Sequence, residues 1–129
     1  MKNLRTLNLS CCQNLASLPK RFGELDNLQT LDVGCCFKLG SLPERFGELT
    51  NLETLDLQYC TSLKSLSERF GELKNLQTLD LNKCEKLISL PEGFGELVNL
   101  EKLYMSSPKG NMSADLKSKL RAQGCAGQF

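Results

Sequence analysis

Residues 27–49 read NLQTLDVGCCFKLGSLPERFGEL, and lightly edited copies of that stretch stand at 3–25, 51–73 and 75–97. Asn-Leu recurs at Asn3, Asn27, Asn51, Asn75 and Asn99, a strict period of 24. Self-similarity at such a period marks a solenoid or array, and it takes precedence over any local reading. Each unit runs Asn-Leu-x-x-Leu-x-Leu/Val-x-x-Cys-x-x-Leu-x-Ser-Leu-Pro and closes on Phe-Gly-Glu-Leu, with Ser67 replacing the proline in the third. In Leu-x-Leu the alternation has period two, so the leucines face one side of a short strand and the x residues the other. One coil cannot enclose its own leucines. A stack of coils buries them as a continuous column, at about 0.8 kcal/mol per buried methylene.

The remainder of the unit is less extended. Pro43-Glu44-Arg45-Phe46 and its equivalents read as one short helical or 3-10 turn with the proline at its start. Gly47 and its equivalents are expected to turn the backbone towards the next Asn-Leu. Strands about 4.8 Å apart pack closer than such returns, so the stack is expected to curve with its strands on the concave side.

Four full coils begin at about residues 3, 27, 51 and 75, and a partial fifth begins at 99. This gives a repeat domain over 1–107. Pro108, Gly110 and Asn111 break the pattern, and 108–129 reads as a C-terminal cap helix and tail. Ser113 is the expected N-cap, the helix ends before Gly124, and Leu116 and Leu120 lie on the face that covers the last coil. No equivalent cap precedes Leu4, so the first coil's apolar edge is expected to be exposed or paired, self-association through it included.

Sixteen basic and fifteen acidic residues give a net charge of +1, which points to neither nucleic acid nor an anionic membrane. No apolar run approaches the roughly 18–20 residues of a membrane span. Seven cysteines, an odd count without an apolar N-terminal leader, imply free thiols and a cytoplasmic, reducing setting.

Cys12, Cys36, Cys60 and Cys84 share one repeat position, so they form a line. A tetrahedral metal site needs four ligands converging at about 2.3 Å on one ion, which a straight column does not offer. These cysteines read as small buried residues. Cys11 and Cys35 are expected to be exposed neighbours, and Cys125 a mobile tail thiol. The phenylalanines, one per coil, read as an internal spine. Glu44, Arg45, Glu48, Glu68, Arg69 and Glu72 read as a solvated outer face with weak ion pairs. The chain has no histidine, hence no Ser-His or Cys-His pair, and no phosphate-binding glycine loop. Neither an enzyme nor a cofactor is expected.

Function is placed on the outward positions of the concave strands. Two columns repeat there: Thr30, Thr54 and Thr78, preceded by Thr6, and Asp32, Asp56 and Asp80. Three basic residues (Arg5, Lys83, Lys102) oppose five acidic ones (Asp32, Glu53, Asp56, Asp80, Glu101), so this face is −2 while the chain is +1. Neighbouring aspartates repel by about 0.9 kcal/mol per pair in water at strand spacing, and such a column favours a cationic partner group. Coils differ at Ser10, Gly34, Gln58 and Asn82, and at Cys11, Cys35, Tyr59 and Lys83. Repeat copying does not explain those differences, so these columns, with Tyr104 in the fifth coil, are the candidates for specificity. The expected function is recognition of a protein partner. The alternative is a structural or surface-adsorbing solenoid that binds a glycan, polymer or ice through the Thr column.

The run L-x-x-L-x-L-x-x-C-x-x-L, carried by Leu52, Leu55, Leu57, Cys60 and Leu63 and by the matching positions of the other coils, is identified as a leucine-rich repeat. With cysteine in place of the usual asparagine and with Ser-Leu-Pro following, the unit resembles the recognition domains of plant nucleotide-binding immune receptors. It is also similar to plant repeats of the Ras-group type, in which asparagine is more usual. The resemblance implies an α/β fold, a right-handed solenoid with short parallel strands on its concave face and short helical or 3-10 turns on its convex face. It also implies protein recognition by the strands. Nucleotide binding is not implied, because this chain carries no such domain.

Overall fold

The computed structural model describes residues 3–105 and 113–128. The expected boundary at 107/108, with Pro108, Gly110 and Asn111, lies outside those residues. The five repeats each contribute one three-residue strand: β1 (Thr6–Asn8), β2 (Thr30–Asp32), β3 (Thr54–Asp56), β4 (Thr78–Asp80) and β5 (Lys102–Tyr104). All pair in parallel and in strict register, Leu7, Leu31, Leu55, Leu79 and Leu103 forming one inward column. The sheet is open and follows chain order.

Four 3-10 helices return the chain: η1 (Lys20–Glu24), η2 (Glu44–Glu48), η3 (Glu68–Glu72) and η4 (Glu92–Glu96). Pro19, Pro43 and Pro91 precede three of them in extended conformation, where a missing N–H costs nothing. Phe22, Phe46, Phe70 and Phe94 stack in a column with ring centroids 6.1, 6.3 and 5.9 Å apart and planes within 6° of parallel. Coils therefore repeat at about 6 Å along this spine, against about 4.8 Å along a sheet. That mismatch bends the solenoid, with the strands on its inner face.

The glycine of Phe-Gly-Glu-Leu does not turn the chain, contrary to expectation. Gly23, Gly47, Gly71 and Gly95 lie inside the 3-10 helices and are buried, and none has positive φ. Space is the reason for glycine. A Cβ at Gly47 would overlap the carbonyl oxygen of Arg69 in the next coil, and one at Gly71 would overlap that of Gly93. At Gly95 the neighbour is instead the Lys119 side chain of the terminal helix.

The conserved polar positions within the repeats join coil to coil. Asn51, Asn75 and Asn99 each donate from Nδ2 to the carbonyl 25 residues earlier (Asp26, Thr50 and Lys74), at 2.6–2.7 Å. On the other side of the strand, the thiols of Cys36, Cys60 and Cys84 donate to Leu9, Val33 and Leu57 at 3.2, 3.1 and 3.0 Å. Burial pushes the Cys60 and Cys84 thiols up to about 12, so they remain protonated donors. Cys12, in the first of the described coils, is exposed. In the same coil Leu4, Leu7, Leu9 and Leu15 are half-buried, whereas Leu28, Leu31, Val33 and Leu39 are fully buried.

At the other end, helix α1 (Ala114–Ala122) is capped by Ser113, whose Oγ accepts the Leu116 N–H at 3.2 Å. Leu120 is fully buried and Leu116 packs against the core. The tail is more ordered than expected. A sixth strand, β6 (Ala126–Gln128), pairs in parallel with β5 and places Gly127 opposite Leu103. Gly127 has φ 133°, and a Cβ there would overlap the Leu103 carbonyl, so a side chain is excluded. Cys125 is buried, not a mobile thiol.

Candidate functional site

The strand alternation that buries the leucines presents Thr and Asp together on the opposite face. Thr30, Thr54 and Thr78 stand in register with one another and with Thr6, and the column ends at Lys102. Asp32, Asp56 and Asp80 likewise align, flanked by Asn8 on β1 and Tyr104 on β5. All of these aspartates, with Gln58, Asn82 and Tyr104, are half-buried, and Tyr59 and Lys83 are exposed. The residues singled out from the sequence thus form one continuous face.

The geometry adds a duty that the sequence reading missed. Each aspartate uses Oδ1 to accept the N–H two residues on: Gly34 from Asp32, Gln58 from Asp56 and Asn82 from Asp80, all at 2.9 Å. Asn8 makes the same 2.9 Å bond to Ser10. A short polar residue followed by such a turn was visible in the sequence. The turn leads into a left-handed residue: Cys11, Cys35, Tyr59 and Lys83 have φ of 61°, 59°, 63° and 63°. These side chains differ chemically and none is glycine or asparagine, so no sequence signal marked the conformation. It costs roughly 1 kcal/mol or more per residue. Opposing that cost, Cys11, Cys35 and Tyr59 donate their N–H groups to the next coil's Gly34, Gln58 and Asn82 at 2.7–2.8 Å. The variable rim is therefore built on an invariant backbone.

Asn8 separates the two roles of the acidic column. An amide oxygen makes the turn as well as a carboxylate does, so the turn does not require charge. The negative charge of Asp32, Asp56 and Asp80 is additional. Burial, joined by the fields of Asp32 and Asp80, pushes the Asp56 carboxyl above its ordinary value against the lowering effect of the Gln58 N–H. A cationic group at this face would relieve that repulsion.

Among the described residues, no cluster of histidine, cysteine or carboxylate side chains is arranged to hold a metal ion, and no helix is long and apolar enough to cross a membrane. The outer charges behave as a solvated face: Arg69 lies 3.2 Å from Glu72 and 3.9 Å from Glu48 of the preceding coil, all of them exposed by a third or more.

A leucine-rich-repeat family model matches residues 3–25, 27–49 and 75–97. No curated protein sequence matches the chain. Among solved structures, the leucine-rich repeat domain of the type III effector XopL is 29% identical with a TM-score of 0.70, over 82% of this chain and 35% of that one. A leucine-rich-repeat protein of Leptospira interrogans is also 29% identical, with a TM-score of 0.61, over 99% of this chain and 38% of that one. The chain thus spans little more than a third of the length of either. Leucine-rich repeats commonly serve as protein-interaction modules and are typically not enzymes. With three of its coils matched by the family model, and with strands, 3-10 returns and inter-coil bonds repeating at one period, the chain belongs to the leucine-rich-repeat family.

Proposed function

We propose that this chain is a protein-recognition module, not a catalyst, that binds a partner carrying cationic side chains on its concave face. One observation carries the reading: Asp32, Asp56 and Asp80 align in register with a charge that their turn bonds do not need, as Asn8 demonstrates. Around that constant column, Gln58, Tyr59, Asn82, Lys83 and Tyr104 supply the differences from which specificity is built. Cysteine at the position where asparagine is usual, with Ser-Leu-Pro following, supports a place in a plant immune receptor of the nucleotide-binding type, acting inside the cell.

The decisive variant exchanges all three aspartates for asparagine, which keeps each Oδ1 acceptor and removes each charge. Affinity capture should then recover roughly tenfold less partner than the parent chain. Equal recovery, with the fold confirmed by circular dichroism, removes the acidic column from recognition. For the receptor reading, the informative observation is the neighbouring coding sequence: an in-frame nucleotide-binding domain supports it, and its absence counts against it.

A further inference from the structure

Cys11 and Cys35 occupy the same position just beyond β1 and β2. Their backbones have nearly the same left-handed conformation, φ 61° and 59°, so the two side chains leave the main chain in parallel. The Cys11 N–H donates to the Gly34 carbonyl at 2.8 Å, which holds the two turns in step. Coils joined by such a bond generally stand about 4.8 Å apart, inside the roughly 4.4–6.8 Å between Cα atoms that a disulfide spans, and closing the S–S bond would draw the two Cβ atoms in to about 3.5–4.5 Å. The two thiols are near enough that Cys11 contributes to raising the Cys35 pKa. Cys11 is exposed and Cys35 half-buried, so a small reagent reaches them. In coils three and four the position holds Tyr59 and Lys83, which confines the pair to the first two coils.

The neighbouring pair is built differently. The Cys36 thiol is fully buried and committed to the Leu9 carbonyl. Among the described repeats, coil one is the least buried at its leucines, and a covalent tie would join it directly to coil two.

We propose that Cys11 and Cys35 form a reversible disulfide with a small-molecule disulfide as oxidant, clasping the first coil to the second. Burial, then the adjoining Cys11 thiol and the carboxylates of Asp56 and Asp32, push the Cys35 thiol up, so exposed Cys11 is the first nucleophile. Its thiolate attacks one sulfur of the small disulfide; that S–S bond breaks and one small thiol leaves with the proton Cys11 gave up. Cys35 then loses its proton and attacks the Cys11 sulfur, and the second small thiol leaves. Two protein thiols are oxidised and one small disulfide is reduced to two thiols.

The test uses the full chain with oxidised glutathione at mildly alkaline pH, followed by alkylation and non-reducing peptide mapping. The expected product is an intramolecular link that joins the peptides of Cys11 and Cys35 and leaves five of the seven cysteines alkylated. It should persist in a Cys12→Ser variant and in a Cys36→Ala variant, and vanish in Cys11→Ser and in Cys35→Ser, which stop at the mixed disulfide or the free thiol. Amide exchange at Leu9 should slow roughly tenfold on oxidation and recover with reductant. A link through Cys12 or Cys36, a link between chains, or a parent chain that stops at the mixed disulfide overturns the assignment. A correct link without slower exchange at Leu9 overturns the clasp.

Discussion

Asp56 stands between Asp32 and Asp80 with one carboxylate oxygen committed to the Gln58 N–H. Burial and its two neighbours raise its pKa more than that bond lowers it, so the fold holds the proton more tightly than the unfolded chain does. For such a group, stability is fullest below the unfolded carboxylate pKa and is lost as pH rises through the folded value. Asp56→Asn should therefore stabilise the protein at neutral pH, by about 0.5–1 kcal/mol. Its advantage should fade near pH ~3, where the carboxyl is protonated in both states. Urea midpoints at the two pH values check this; an equal gain at both would show that charge is not the cause. The acidic column was legible in the sequence because Asp recurs every 24 residues. Its turn bond was readable only in outline, and the left-handed residue after it was not, because Cys, Tyr and Lys carry no preference for that conformation.

The 3-10 helices pack through a contact that tolerates no side chain. A Cβ at Gly71 would overlap the Gly93 carbonyl oxygen and stand 3.2 Å from the Glu96 Cβ. Backbone cannot yield as a flexible side chain does, so η3 and η4 would have to separate, disturbing the Phe70–Phe94 stack beside them. Gly71→Ala should cost about 1–3 kcal/mol, read as a lower urea midpoint. A Gly→Ala change limited to conformational entropy would instead stabilise by about 0.4–1 kcal/mol. The sign of the shift thus decides between space and chain freedom. From the sequence, a glycine before Glu-Leu reads naturally as a turn. Its true role depends on what lies in the next coil, 22 residues on.

Each coil rests on its neighbours, so damage at one end should remain local. Leu120 is fully buried where α1 closes the last coil, and Leu120→Ala should destabilise by about 2–5 kcal/mol. Hydrogen exchange should show lost protection at Leu103, Met105 and β6, with β2 and β3 keeping theirs. Uniform loss along the chain would mean that the solenoid unfolds as one unit. The C-terminal end is also where the sequence told least. The cap helix announced itself through Ser113, Leu116 and Leu120, but β6 contains Ala126, Gly127 and Gln128, none of them a strand former.

What the sequence determined by itself was the architecture: a 24-residue period in leucine, asparagine, cysteine and phenylalanine admits a stacked coil and little else, because each of those residues finds its packing or hydrogen-bond partner about one period away. It also determined which residues face outward, since strand alternation is local. Tertiary structure alone decided why the glycines are glycines and how the tail becomes a sixth strand. Both depend on how closely the backbone of one coil approaches the next, and that separation is not encoded in any single repeat.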